Sequence, residues 1–176
     1  LERCLKTGIY EVFDSVKTNS PSMDIQISSN FERLLFDLLS MNSTNVDKKM
    51  SELSTNGKFE LSKFELDTFK NNFDAGSINQ DETIKIIKDM YDKSHQIIDP
   101  HTAIAVGIHY KNRYKNSIVL STAHAAKFPD TVEQAIGINP ELPIMSEDIY
   151  KMQENIINLK SDVGEIKSYI KKNFRE

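Results

Sequence analysis

Residues 97–128 read Ile97-Ile98-Asp99-Pro100-His101-Thr102-Ala103-Ile104-Ala105-Val106-Gly107-Ile108-His109-Tyr110-Lys111-Asn112-Arg113-Tyr114-Lys115-Asn116-Ser117-Ile118-Val119-Leu120-Ser121-Thr122-Ala123-His124-Ala125-Ala126-Lys127-Phe128. Asp99 is a good N-cap residue, and Pro100 follows at the first helical position, where a missing N–H costs nothing. That start predicts a helix running through Ala103, Ile104, Val106, Gly107 and Ile108 to Asn112. The apolar-led run Ser117–Ser121 then predicts a buried strand. Thr122-Ala123-His124 ends it, and a new helix is expected from Ala126 to Ile136. Helix, apolar strand, helix is an α/β pattern.

Upstream, Leu1, Cys4 and Leu5 fall at helical spacing, with Lys6 and Gly8 as a stop signal. The chain therefore reads as opening inside the last turns of a helix, as part of something longer. Ser20-Pro21-Ser22 predicts a turn, and the alternation at Ile25 and Ile27 a short strand. Ser29 or Asn30 then caps a helix bearing Phe31, Leu34, Leu35, Leu38 and Leu39 and ending near Met41. Three further helical segments follow: Thr44 to Ser54, one opened by Ser62, and one carrying Ile84, Ile86 and Ile87. Short segments of this kind, each with an apolar stripe, read as a helical insertion.

Downstream, Ile149, Met152, Ile156, Leu159, Val163, Ile166 and Ile170 repeat at alternating spacings of three and four, a heptad seam. One long helix, and a helical interaction module built on residues 149–170, would suit it. Against that stand the β-branched Ile156-Ile157, a capping Ser161-Asp162 and a mid-helix Gly164. Pattern alone leaves both readings open.

Composition narrows the function classes. The 176 residues carry a net charge of −4, with acidic and basic residues mixed. No basic stripe offers itself to phosphates, which argues against nucleic acid. Cys4 is the single cysteine, so no internal disulfide or thiolate-rich zinc site can form, and a reducing, cytoplasmic setting fits. No apolar run approaches the ~20 residues that cross a membrane, and no secretory signal pattern is present.

Two clusters gather small polar and ionisable groups at the ends of predicted elements: Ser121 to Phe128, and Asp99 to Ala103. In open α/β sheets ligands bind beyond the carboxyl ends of strands, where Ser121 and Thr122 are expected. Ordinary caps and turns would use the same residue types. Ser121, His124 and Asp99 superficially suggest a hydrolase triad, but no strained nucleophile elbow accompanies them.

The run Thr122-Ala123-His124-Ala125-Ala126-Lys127-Phe128 resembles the Thr-Ala-His-Pro-Ala-Lys-Phe signature of threonine synthases. Asp99-Pro100-His101-Thr102-Ala103 is similar to a second motif of that family, and residues 20–36 and 1–10 to two more. All four occur in the family's order. One departure is Ala125, where the family usually has proline, which loosens the turn without touching the chemistry.

The resemblance implies the C-terminal portion of a fold-type-II pyridoxal-phosphate (PLP) enzyme, mainly helical with a few strands and a helical insertion. Residues 1–43 would belong to the PLP-binding α/β domain and 44–94 to the insertion. Residues 95–138, with the strand 117–121, would return to that domain, and 139–176 would form helix, strand and helix, making the heptad a coincidence. The implied reaction takes O-phospho-L-homoserine and water to L-threonine and phosphate. Thr122 matches the threonine whose hydroxyl holds the pyridine nitrogen of PLP. A neutral hydroxyl does not force that nitrogen to be protonated, as a carboxylate would. His124, Lys127, His101 and Ser121 are further candidates to line the site. The family's Schiff-base lysine and phosphate-binding glycine loop have no match here and would lie upstream, so the catalytic lysine is expected in a missing N-terminal part, and this stretch alone is expected to be inactive. Lys127 is not that lysine.

Overall fold

Most helices of this chain start where a side chain can satisfy a free backbone N–H. The computed structural model describes residues 1–146 and 148–174. It divides into two compact units, Leu1–Glu141 and Leu142–Glu176. In the first, α1 (Glu2–Thr7) stops at Gly8, whose φ of 78° a side chain would resist. β1 (Ile9–Glu11) follows directly. After a 3-10 turn at Pro21–Met23 come α2 (Phe31–Leu38) and α3 (Ser43–Asn56). The Asn42 side chain caps α3 by accepting the Asn45 N–H. β2 (Lys58–Glu60) precedes α4 (Lys63–Asn72) and α5 (Gln80–Ser94). Ser62 with Glu65, and Asn79 with Glu82, form reciprocal capping boxes at those two helices. Next come α6 (Pro100–Asn112), a 3-10 turn at Ala125–Lys127, and α7 (Pro129–Ile136).

β1 and β2 pair antiparallel with Tyr10 opposite Phe59. This ladder is not legible in the sequence, because three residues carry too little alternation to register as a strand. It places the Tyr10 ring 4.8 Å from Phe31 and 5.2 Å from Phe59, both stacked. Around these rings Cys4, Leu35, Leu38, Leu53 and Phe69 close one core. A fully buried leucine or phenylalanine contributes roughly 1.5–3 kcal/mol through lost apolar surface. The core spans the division proposed at 43/44, drawing α1 and α2 from one side and α3, β2 and α4 from the other. A second core joins α5, α6 and α7 through Ile87, Ala103 and Ala135. There α6 approaches α5 closely: a Cβ on Gly107 would sit 2.5 Å from Ile86 Cδ1.

Three expectations need correction. The strand at Ile25 and Ile27 does not form, and these side chains are 57% and 54% exposed. The backbone there is taken by a side chain instead: Tyr10 Oη donates to Gln26 O at 2.8 Å and accepts the Ser28 N–H at 3.1 Å. The helix from Phe31 stops at Leu38, because Ser40 and Met41 take positive φ. Residues 117–121 form no ladder, with Ile118 91% and Leu120 73% exposed. A strand exists by its partners, and this stretch pairs with none of the described residues.

The second unit holds short 3-10 turns at Ile144–Ser146 and Ile149–Lys151, an irregular stretch, and α8 (Val163–Phe174). Asp162 accepts the Glu165 N–H at 2.7 Å, which starts α8. The expected strand near Ile156 does not form, since residues 153–160 pair in a ladder with none of the described residues, and the expected first helix of this tail is reduced to 3-10 turns. The heptad seam does not lie on one helix, since residues 152–162 are non-helical.

Candidate functional site

The N-terminus of α6 carries the most deeply buried polar group of the first unit. Asp99 precedes Pro100, so its backbone is held extended and its carboxylate folds back over the first helical turn. Oδ1 accepts the His101 N–H at 2.9 Å and lies 2.9 Å from His101 Nδ1. Oδ2 accepts the Thr102 hydroxyl. The side chains of His101 and Asp99 are 5% and 0% exposed. A carboxylate so enclosed is tolerable because its acceptor sites are filled.

His101 Nε2 accepts the Ser22 N–H at 3.3 Å, and its Nδ1 therefore carries the proton given to Asp99. Both ring nitrogens are engaged, so His101 is a brace between α6 and the 3-10 turn at Pro21–Met23. Its ring packs against Phe128, centroid to centroid 4.7 Å. Thr102 and Ser121 hydroxyl oxygens lie 3.3 Å apart. The carboxylate takes Thr102's single proton, leaving Ser121 as donor in that contact.

Ser121 leads into Thr122, whose side chain lines an open groove of about 960 Å³. Its hydroxyl makes no hydrogen bond to another of the described residues. His101, Ser22, Tyr114, His109 and Asp74 line the same groove. His124 serves its own turn, where Nδ1 accepts the Ala126 N–H at 3.2 Å and caps the 3-10 segment. Lys127 is exposed, with no ion pair among the described residues. The geometry thus brings His101, Ser121 and Thr122 together, and sets His124 and Lys127 in the turn that follows.

Two groups of the groove escaped the sequence reading. Tyr114 donates to Asp74, and Asn112 Nδ2 donates to Asp74 Oδ2 at 3.0 Å. The hydrogen bond from Tyr114, then that from the Ala75 N–H, holds the Asp74 carboxyl below its ordinary range, and Asp74 in return raises the Tyr114 hydroxyl. His109 Nδ1 lies 2.6 Å from Ser117 Oγ. No local pattern announces the first pairing, because Asp74 and Tyr114 stand 40 residues apart. Burial raises the Cys4 thiol, which lies in the groove wall.

The family described as "Threonine synthase, C-terminal" matches residues 102–170. Threonine synthase of Pseudomonas aeruginosa is 35% identical over 155 residues, covering 86% of this chain and 33% of that protein. Threonine synthase of Saccharomyces cerevisiae is 38% identical over 176 aligned residues, covering 86% of this chain and 34% of that protein. The solved structure of PLP-bound threonine synthase from Brucella melitensis superposes with a TM-score of 0.84 at 37% identity, over 99% of this chain and 38% of that one. The chain belongs to the threonine synthase family. It spans about a third of the length of the curated threonine synthases it matches. Its mainly helical fold with few strands corresponds to the C-terminal portion of the PLP threonine synthase structures. None of its helices is long and apolar enough to cross a membrane, among the described residues.

Proposed function

We propose that these residues form the C-terminal portion of a working threonine synthase, which converts O-phospho-L-homoserine and water into L-threonine and phosphate with PLP. The observation that carries this reading is Thr122: a free hydroxyl at the edge of a groove, in a motif of the family, on a segment anchored to a buried carboxylate. The residues fit the cofactor. The groove has the volume of a small-molecule site, and Thr122 supplies a neutral hydrogen-bonding group to it. PLP, when bound, supplies the electron sink that lets the γ-phosphate leave and water add at Cβ.

This chain's part is to hold and orient. Thr122 Oγ1 would meet the ring nitrogen, and a hydroxyl there leaves the nitrogen free to stay unprotonated. Ser121 fixes the approach of Thr122 through Thr102. His101 carries no proton to substrate, since both of its nitrogens are occupied by Asp99 and Ser22. The lysine and the phosphate loop that the chemistry also needs have no counterpart in these residues, so the N-terminal portion of the enzyme is the necessary partner and these residues alone are inactive. A cytoplasmic setting agrees with the lone, buried Cys4 thiol.

The test is to incubate the full-length protein with PLP and O-phospho-L-homoserine and identify the amino-acid product by chromatography. L-Threonine is expected; another amino acid or keto acid overturns the assignment of the reaction.

A further inference from the structure

Between Ile118 and His124 the backbone makes no ladder and carries exposed apolar side chains, so little in the stretch itself fixes where Thr122 stands. Ser117 is held by His109 at the start of the approach, and the contact between Thr102 and Ser121 is the hydrogen bond nearest to Thr122 that ties this approach to the rest of the unit. On the other side of Thr122, Ala125 and Ala126 are buried, and Phe128 packs against the His101 ring as a second anchor. Both anchors end on one carboxylate, that of Asp99, through Thr102 on one branch and His101 on the other.

An N-cap alone does not require this. Serine or asparagine would accept the same helical N–H without the cost of enclosing a charge. Asp99 uses its second oxygen on Thr102, and its first also on the His101 ring, which are contacts to side chains and not to the helix start. We propose that Asp99 and Thr102 are positioning residues that set the Thr122 hydroxyl at its place in the cofactor site, with Ser121 as the link. This inference rests on the cofactor-holding role given to Thr122 above. Misplacing a contact group by about 1 Å can cost on the order of 100-fold in rate, so a single lost tether is expected to be felt at the cofactor.

The experiment uses the full-length protein loaded with PLP, with Thr102→Val, Thr102→Ser and Ser121→Ala. PLP affinity is read by titration and the cofactor's environment by its absorption and fluorescence, beside the melting temperature. Thr102→Val is expected to weaken PLP binding roughly tenfold and to shift the cofactor bands, and Thr102→Ser to restore both. Ser121→Ala, on an exposed side chain, is expected to reproduce the band shift with an unchanged melting temperature, which covers the case in which Thr102→Val does not fold. Unchanged bands and affinity in both Thr102→Val and Ser121→Ala, with wild type binding normally, overturn the positioning role alone. A folded wild type that binds no PLP overturns the cofactor reading and this inference with it.

Discussion

His101 Nδ1 and Asp99 Oδ1 lie 2.9 Å apart in a region that admits almost no solvent to either side chain. Removing the carboxylate strips α6 of its cap, leaves the ring N–H without a partner and leaves the Thr102 hydroxyl with Ser121 alone. Asp99→Ala is expected to destabilise the full-length protein by about 2–4 kcal/mol. Asp99→Asn, which keeps the cap, is expected to lose roughly half as much. Denaturant unfolding of the two variants reads the difference, and equal stability of Asp99→Ala and wild type would remove the hub from Asp99.

Leu35 is fully enclosed among the aromatic rings of the first core. Leu35→Ala leaves a cavity there and is expected to cost about 2–5 kcal/mol, whereas Phe64→Ala, at a side chain 75% exposed, is expected to stay within about 0.5 kcal/mol. Thermal melts of both variants check the contrast.

Glu65 joins the capping box of α4 to Lys49, whose Nζ lies 3.1 Å away. Partial burial pushes its carboxyl up, but the Ser62 N–H and the Lys49 ammonium outweigh this and leave it below its ordinary value of 4.5. A carboxyl lowered in the folded state adds stability that is fully present above that ordinary value and is lost as pH falls through the folded value. Glu65→Gln is therefore expected to melt lower than wild type near neutral pH and to converge with it once pH drops well below 4.5. A difference that does not change across that window would contradict the ionic contribution.

Thr122 lies at the groove wall and makes no hydrogen bond to the described residues, so its loss leaves packing intact. In the full-length protein Thr122→Ala is expected to lower turnover at least about tenfold while moving the melting temperature little. Steady-state kinetics beside a melt separates the two effects. Wild-type turnover would take the cofactor contact away from Thr122.

The seam at residues 149–170 is interrupted by a non-helical stretch at 152–162, so it presents no continuous face to a coiled-coil partner. A peptide covering it is expected to sediment as a monomer at all concentrations, and concentration-dependent association would revive the interaction-module reading.

Local chemistry was the most legible layer of the sequence. Asp99-Pro100 announced α6, Ser62 announced α4 and Gly8 ended α1, because caps act within one turn of chain. Pairing was not legible. β1 and β2 have three residues each, and their union depends on contacts between residues far apart in the chain. Ile25 and Ile27 alternate as a strand should, yet Tyr10 captures the backbone around them. The apolar run at 117–121 has the composition of a sheet interior, but burial depends on neighbours. The site divides the same way. Thr122 came from resemblance to a family motif; periodicity alone would have left it in a turn. Asp99 was readable as a cap, while its hold on Ser121 through Thr102 joins distant residues and emerged only with the fold.

The most direct test of the threonine synthase assignment is phosphate release from O-phospho-L-homoserine by the full-length protein, measured with and without PLP. One phosphate for each L-threonine formed, and neither without the cofactor, is the expected result. No release from a folded, PLP-loaded protein would contradict it, and would assign the scaffold and Thr122 to some other chemistry of the same cofactor.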